Sequence, residues 1–162
     1  MRLTDLLSAD DVVLDLSADN KRNLLRALAA EAATRLRHPE QEILDTLKAR
    51  ERLGSTALGR GVALPHARIS GNDPPIVLFA RLRRPIDFEA KDDEPIDLVF
   101  LVLWPDASPE GLLPLLAEIC QVIREPERLR RLRAARSPES VVTLLRQGDP
   151  SAPDTDAAPK AG

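Results

Sequence analysis

One run of the sequence decides the fold: Ile96-Asp97-Leu98-Val99-Phe100-Leu101-Val102-Leu103. Its side chains are apolar at nearly every position, so both faces of the strand that it predicts must be buried. Such a strand lies at the centre of a sheet that has helices packed on both sides. Two further runs, Ile76 to Ala80 and Val12 to Leu14, predict additional strands. Residues 83–87 and 90–95 have the composition of loops.

Apolar residues at helical spacing precede and follow these strands. The first predicted helix starts after an N-cap at Ser17, and the second begins near Pro39 and ends near Leu53-Gly54. The buried positions are Leu24, Leu25, Leu28, Ala32 and Leu36 in the first helix, and Ile43, Leu44 and Leu47 in the second. Two more helices are predicted over residues 110–124 and from Ser137-Pro138 onward. This pattern predicts an α/β fold built as a three-layer sandwich.

Composition and charge favour one globular domain of a cytoplasmic protein. The chain has 162 residues, and its polar, Pro-rich stretch 148–162 predicts a disordered tail after an ordered domain at 1–147. No signal peptide is recognisable, no apolar stretch reaches the ~20 residues that span a bilayer, and the lone Cys120 excludes an intramolecular disulfide. A net charge of -3 gives no attraction to nucleic acid or to an anionic membrane, and 2% aromatic residues argue against single-stranded nucleic acid as a partner. The lack of a spanning apolar stretch predicts no membrane insertion.

A second run carries the candidate chemistry: Arg50-Glu51-Arg52-Leu53-Gly54-Ser55-Thr56-Ala57-Leu58-Gly59-Arg60-Gly61-Val62-Ala63-Leu64-Pro65-His66. Its glycines permit tight turns that bring backbone N–H groups close to an anion. Ser55 and Thr56 can donate hydrogen bonds to phosphate oxygens, and Arg50 can pair with a phosphate through its fork of donors. Neutral imidazole, with an unperturbed pKa of ~6.5, is a nucleophile near physiological pH. His66 is therefore a candidate phosphoryl acceptor.

A structural interpretation of this run stays open on residue chemistry alone. Gly-x-Gly often marks only a turn, and a histidine after a proline is often structural or exposed. The run is not a P-loop, because it lacks the Gly-Lys-Ser/Thr end, and not a dinucleotide-binding fingerprint, because it does not lead from a strand into a helix. The other histidine, His38, lies in a predicted helix-to-helix turn, where a solvated or capping role is expected. Two distant histidines and one cysteine predict neither a metal site nor a cofactor.

Three segments resemble the type-2 enzyme IIA domains of the bacterial phosphotransferase system, which are the fructose- and mannitol-type domains and their nitrogen-regulatory relatives. The first is Arg50-Glu51-x-x-Gly54-Ser55-Thr56-x-x-Gly59-x-Gly61-x-Ala63-x-Pro65-His66, and the second runs from Pro85-Ile86-Asp87-Phe88 to Pro95-Ile96-Asp97-Leu98-Val99-Phe100. The third, Arg131-Leu132-Arg133-Ala134-Ala135, is similar to the nitrogen-regulatory branch in particular. The resemblance covers residues 1–147 and implies a mixed β-sheet with helices on both faces.

The resemblance implies a phosphoryl carrier that acts through a phosphohistidine intermediate. His66 matches the histidine that the family phosphorylates, and Arg50, Ser55 and Thr56 match residues that stabilise the transferred group. The implied donor is a small phosphohistidine carrier protein. The phosphorylation state would control a target protein such as a transporter, kinase or transcription regulator. Since no membrane transporter domain is fused to the chain, this regulatory role is favoured over that of a sugar-specific enzyme IIA of an importer.

One position departs from the family pattern. The family usually has a second histidine beside the phosphorylated one, at the start of the helix after the central strand, and this position falls on Leu112. A leucine cannot donate a hydrogen bond to a phosphate. The alternative function is therefore a regulatory module of the same fold that binds proteins without being phosphorylated. The basic run from Arg124 to Arg136 predicts a solvated helix face or, as the alternative, a docking surface for an acidic partner.

Overall fold

The computed structural model describes residues 1–147, and the predicted tail at 148–162 lies outside the described residues. These residues form one mixed six-stranded sheet with α-helices on both faces, which confirms the predicted three-layer α/β fold. The strands are β1 (Val12–Leu16), β2 (Ala57–Gly59), β3 (Val62–Ala63), β4 (His66–Ile69), β5 (Ile76–Ile86) and β6 (Ile96–Pro105). The α-helices are α1 (Leu3–Leu6), α2 (Lys21–Ala33), α3 (Glu40–Arg52), α4 (Leu112–Ile123), α5 (Pro126–Ala134) and α6 (Pro138–Arg146).

Strand β6 lies inside the sheet, as its sequence predicts. The strand order is β1-β5-β6-β3-β2, and β4 also pairs with β6. β5 runs antiparallel to β6, whereas β3 and β4 run parallel to it. Alternate residues of β6 enter two separate cores, one on each face of the sheet. The core beneath α1, α4, α5 and α6 contains Leu98, Phe100 and Val102. The core beneath α2 and α3 contains Val99, Leu101 and Leu103. All six of these side chains are fully buried.

The helices follow the predicted pattern except at one cap. α2 starts at Lys21, and Asn20 caps it because its side-chain oxygen accepts the backbone N–H of Asn23 at 2.8 Å. The predicted cap at Ser17 is therefore wrong. Asparagine is as good an N-cap as serine, so residue type alone does not identify where the helix begins. The helices predicted around residues 39–53, 110–124 and after Ser137 are confirmed. No helix within the described residues is long and apolar enough to cross a bilayer.

The strands are more extensive than predicted. β5 continues to Ile86 instead of ending at Ala80, so residues 83–86 of the expected loop belong to a strand. Its pairing with β6 shifts register between Arg81 and Ile86, and such an irregularity disrupts the alternation by which a strand is normally identified. The short strands β2, β3 and β4 lie in and directly after the glycine-rich run, where glycine and proline predict turns.

Candidate functional site

His66 lies where two short strands follow one another along the same edge of β6. β3 pairs with the first half of β6, and β4 pairs with its second half. Leu64 and Pro65 connect the two short strands, and the carbonyl oxygen of Pro65 accepts the N–H of Val102 at 3.0 Å. His66 is the first residue of β4 and lies opposite Val102. Strand pairing, rather than a free loop, therefore positions the histidine.

Strand alternation directs the His66 side chain to the face of the sheet that α4, α5 and α6 cover. Its register partner Val102 belongs to the core on that face. The next residue in the strand, Ala67, enters the opposite core beneath α2 and α3. Because His66 is only partly buried, it remains accessible at the edge of the apolar core.

A hydrogen bond determines which ring nitrogen of His66 carries the proton. Nδ1 lies 2.8 Å from the carbonyl oxygen of Leu64, and a carbonyl oxygen can only accept. In the neutral ring the proton is therefore on Nδ1, and Nε2 keeps its lone pair. A neutral imidazole with a free Nε2 is able to attack an electrophilic phosphorus atom.

The start of α4 covers the same face of the sheet near the end of β6. The indole of Trp104 is 4% exposed and donates its N–H to the carbonyl oxygen of Ser108 at 2.7 Å. Gly111 packs so closely on this indole that a Cβ at this position would overlap the ring carbons. The next residue, Leu112, opens α4 and is buried in the core of this face. The position of the family's second histidine is thus part of the apolar core.

The hydroxyls of Ser55 and Thr56 have partners within the protein. Thr56 is 4% exposed, and its hydroxyl hydrogen-bonds to a carboxylate oxygen of Glu51. The Ser55 hydroxyl donates to the carbonyl oxygen of Phe88 at 3.0 Å and accepts the backbone N–H of Ala57 at 3.2 Å. Both hydroxyls therefore stabilise the turn after α3, and each must release a partner before it can donate to a phosphate.

A buried ion pair anchors the same turn. The Glu51 side chain is 7% exposed, and one of its carboxylate oxygens lies 2.8 Å from Nζ of Lys21. The Lys21 ammonium also lies 4.5 Å from the centre of the Phe88 ring and 3.3 Å from the carboxylate of Glu89. Glu51 belongs to the sequence signature, but its role was not predicted because its cationic partner is distant in the sequence, at the start of α2.

Two hydrogen bonds connect this turn to His66, one between backbone groups and one from the imidazole to a backbone carbonyl oxygen. The carbonyl oxygen of Thr56 accepts the N–H of Leu64 at 2.9 Å. The carbonyl oxygen of Leu64 in turn accepts the Nδ1 proton of His66. A continuous route therefore leads from the Glu51 carboxylate through Thr56 and Leu64 to the imidazole, so the conformation of the turn determines where the acceptor of the Nδ1 proton lies.

Arg50 of the signature and Arg68 of β4 differ in their hydrogen bonds. Arg50 lies in the last turn of α3 and donates from Nη1 to the carbonyl oxygen of Gly54 at 3.0 Å. Arg68 is exposed in β4 and makes no hydrogen bond or ion pair with any residue in 1–147. It was not among the predicted site residues, although its spacing of two from His66 places both on one face of a strand.

Comparison with known proteins identifies the family. Residues 5–148 match the model of the phosphoenolpyruvate-dependent sugar phosphotransferase system, EIIA 2. The chain belongs to this family. Nitrogen regulatory proteins of Bradyrhizobium diazoefficiens and Pseudomonas aeruginosa are 39% and 36% identical to it, and in each case the match covers 90% of this chain and 95% of the relative. The crystal structure of nitrogen regulatory protein IIA-Ntr from Neisseria meningitidis is similar with a TM-score of 0.84 at 29% identity, covering 88% of this chain and 98% of that one.

Within this enzyme IIA domain, His38 lies apart from the His66 site. Its side chain is 13% exposed, with Nδ1 3.1 Å from the carboxylate of Glu42 and Nε2 3.6 Å from that of Asp73. These contacts tie the turn between α2 and α3 to the segment before β5. The predicted turn is confirmed, but the ring is held between two carboxylates instead of being solvated.

The basic run of this enzyme IIA domain lies largely on the surface of α5. Arg130 and Arg131 both pair with Glu127, and the hydrogen bond from Arg130 lowers the pKa of this carboxyl. These exposed arginines match the predicted solvated face. Arg133 differs, because its guanidinium contacts both carboxylate oxygens of Asp97 in β6, at 3.0 and 3.1 Å, and thereby fixes α5 to the end of the sheet.

Proposed function

We propose that this chain is a phosphoryl-carrier regulatory protein of the nitrogen type, which accepts a phosphoryl group on Nε2 of His66. The observation that carries the proposal is the 2.8 Å hydrogen bond between Nδ1 and the Leu64 carbonyl oxygen, because it leaves Nε2 unprotonated in a side chain that is only partly buried. Membership of the enzyme IIA family and similarity to nitrogen regulatory proteins support the same function.

The proposed transfer is an in-line displacement. The Nε2 lone pair of His66 attacks the phosphorus of a phosphohistidine on a small donor carrier protein. A new N–P bond forms while the N–P bond of the donor breaks, and the electron pair of the broken bond returns to the donor imidazole. The Nδ1 proton stays on His66, where the Leu64 carbonyl oxygen stabilises the positive charge that develops on the ring.

The transferred group requires donors for its oxygens, and we assign this role to Arg50, Ser55 and Thr56 in different degrees. The guanidinium of Arg50 has five N–H donors, of which Nη1 is used on Gly54, so it can also bind the phosphoryl group. The Ser55 hydroxyl contributes by exchanging its bond to a backbone carbonyl. Thr56 acts mainly by holding Leu64 in place, because its hydroxyl is bound to Glu51 and the residue is 4% exposed.

Regulation follows from the charge of the phosphoryl group. The added negative charge changes the surface around His66 and so changes which cytoplasmic target binds there, whether a transporter, a kinase or a transcription regulator. A sugar-specific enzyme IIA of an importer shares the chemistry and differs in its partner. Capture with the phosphorylated and unphosphorylated protein separates the two, because recovery of a sugar-importer component with the phosphorylated form alone would support the importer function.

The test is incubation with the phosphotransferase carrier proteins and phosphoenolpyruvate, followed by intact mass spectrometry. The wild type is expected to gain one phosphoryl group and His66→Gln none. His38→Gln is the matched control, since the chain has 2 histidines, and it is expected to behave like the wild type. A wild type without any gain overturns the carrier function, and a gain retained in His66→Gln overturns the site.

A protein-binding module without phosphoryl transfer is the second candidate function. The observation in its favour is Leu112, which is 5% exposed in the apolar core at the family's second-histidine position. Under this function the wild type gains no phosphoryl group and captures the same targets whether or not the carrier proteins are present. Targets that bind only one phosphorylation state exclude it.

A further inference from the structure

A cation that the proposed chemistry does not use lies on the His66 face of β4. Arg68 follows His66 by two residues, and the residues that alternate with them in the strand are buried. The register places His66 opposite Val102 and Arg68 opposite Trp104. Since Val102 and Trp104 belong to the same core, the side chains of His66 and Arg68 leave the sheet on the same side.

The spacing allows both residues to contact one phosphoryl group. Two residues of a parallel strand span about 6.6 Å, a distance that an extended arginine side chain covers. Arg68 is exposed and forms no hydrogen bond or ion pair within residues 1–147, so no existing contact has to break. A guanidinium binds phosphate oxygens through two parallel N–H bonds, which makes arginine well suited to this position.

The two hydroxyls of the signature have roles in the fold, and Arg50 has Nη1 engaged on the Gly54 carbonyl. The Thr56 hydroxyl is bound to Glu51, and the Ser55 hydroxyl is bound to a backbone carbonyl. Leu112, at the position of the family's second histidine, has no polar side-chain atom. A phosphoryl group on His66 therefore depends mainly on cations for its stabilisation, and Arg68, unlike Arg50, has its full set of donors available.

We propose that Arg68 binds the phosphoryl group carried by His66 and supplies a stabilising interaction that Leu112 cannot make. This inference rests on the proposed function. Arg68 stabilises the charged phosphohistidine relative to the free imidazole, so it shifts the equilibrium of transfer from the donor. One charge-assisted hydrogen bond corresponds to a factor of about 10 to 100 in this equilibrium.

The experiment compares Arg68→Gln, Arg68→Lys and the control Arg83→Gln with the wild type. Arg83 is also exposed and without a partner in the described residues, but it lies in β5. The measurements are the fraction phosphorylated at equilibrium with the donor and the ³¹P chemical shift of the phosphohistidine. Arg68→Gln is expected to lower the equilibrium constant for phosphoryl transfer from the donor about 10- to 100-fold and to change the ³¹P chemical shift of the phosphohistidine. Arg68→Lys should recover part of the loss, and Arg83→Gln should match the wild type.

The outcomes separate this inference from the proposed function. If the wild type is phosphorylated and Arg68→Gln reaches the same phosphorylated fraction, only the role of Arg68 is overturned. An Arg83→Gln variant that loses as much phosphorylation as Arg68→Gln overturns it as well, because such a loss reflects the net charge and not a contact of Arg68. Phosphoramidate provides a second route to the phosphorylated protein without the donor. A His66 that neither route phosphorylates overturns both proposals. Equal urea midpoints for all variants are expected, because an exposed arginine without partners contributes little to stability.

Discussion

Removal of the Glu51 carboxylate should lower the free energy of unfolding, and the contacts of this side chain allow the loss to be estimated. Glu51→Leu takes away the acceptor that lies 2.8 Å from Nζ of Lys21. It also removes the acceptor of the Thr56 hydroxyl, in a residue that is 4% exposed. The substitution therefore leaves a cation and a hydroxyl without their main partners on the turn that leads to His66.

The expected loss of stability follows from these two effects. Removing one partner of a buried ion pair costs about 3–5 kcal/mol, and a buried hydroxyl without a partner costs about 1–3 kcal/mol. The Lys21 side chain is 18% exposed, and Glu89 lies 3.3 Å from its Nζ, so water and a second carboxylate offset part of the first cost. The new leucine side chain offsets more. We therefore expect the free energy of unfolding to fall by about 3 kcal/mol, a large share of the roughly 5–15 kcal/mol typical of a domain.

Urea denaturation followed by circular dichroism measures this loss. Lys21→Met alone and combined with Glu51→Leu completes a double-mutant cycle, in which the pair is expected to show a coupling of about 1–2 kcal/mol. Glu89→Gln is the matched control: it changes a carboxylate that contacts the same ammonium but is 77% exposed, and its cost should stay below about 1 kcal/mol. The reasoning is refuted by a Glu51→Leu variant as stable as Glu89→Gln, or by a double mutant whose loss equals the sum of the single losses.

The same substitution has a local consequence at His66. Thr56 loses its hydrogen bond to Glu51, and the Leu64 carbonyl oxygen then holds the Nδ1 proton less firmly because Thr56 positions Leu64. The ¹⁵N spectrum of the imidazole should shift toward a mixture of the two neutral tautomers. A ring that keeps the wild-type tautomer in a destabilised but folded variant would show that the turn does not orient His66.

Two further substitutions test how α4 lies over the site. Gly111→Ala should lower the free energy of unfolding by about 1–3 kcal/mol, because the new methyl group overlaps the indole of Trp104. Trp104→Leu removes the indole, so Gly111→Ala should cost much less in that background. An equal cost in both backgrounds would contradict the packing of Gly111 on Trp104. Leu112→His should lower the free energy of unfolding by about 1–3 kcal/mol through burial of a polar ring and lengthen the lifetime of the phosphohistidine, as measured by its rate of hydrolysis. An unchanged hydrolysis rate would contradict a role for this position in stabilising the phosphoryl group.

The fold could be predicted where one segment carries its own burial pattern. β6 is apolar at nearly every position, and such a strand has to lie between two layers of helices wherever its partners come from. The extension of β5 to Ile86 could not be predicted in the same way. Its exposed residues 83–85 lie within the stretch where the pairing shifts register, so the side chains around them do not alternate regularly. Ile86 pairs with Ile96 of β6, and this contact between strands identifies the end of the segment as part of β5.

The candidate site was predicted as a set of residues but not as a network of contacts. Residue types in the run that contains Arg50, Ser55, Thr56 and His66 make phosphate chemistry one of two interpretations, and the family resemblance favours it. The hydrogen bond from the Thr56 hydroxyl to Glu51 depends on a turn geometry that the sequence does not encode locally. The Lys21 partner of Glu51 comes from another helix, so residue spacing within the run contains no information about it.

Two positions on the His66 side of the sheet differ in exposure, since Leu112 is buried in the apolar core and Arg68 is exposed to water, and this determines which of them can hold a positive charge. At the position of Leu112 a second histidine would be buried, and a buried polar ring without a hydrogen-bond partner costs about 1–3 kcal/mol. Arg68 is exposed on the same face and keeps its guanidinium in water until a phosphoryl group is present, so it carries no such cost in the unphosphorylated protein. An apolar residue at the start of α4 is therefore compatible with a phosphoryl carrier, provided that the cation comes from the strand instead of the helix.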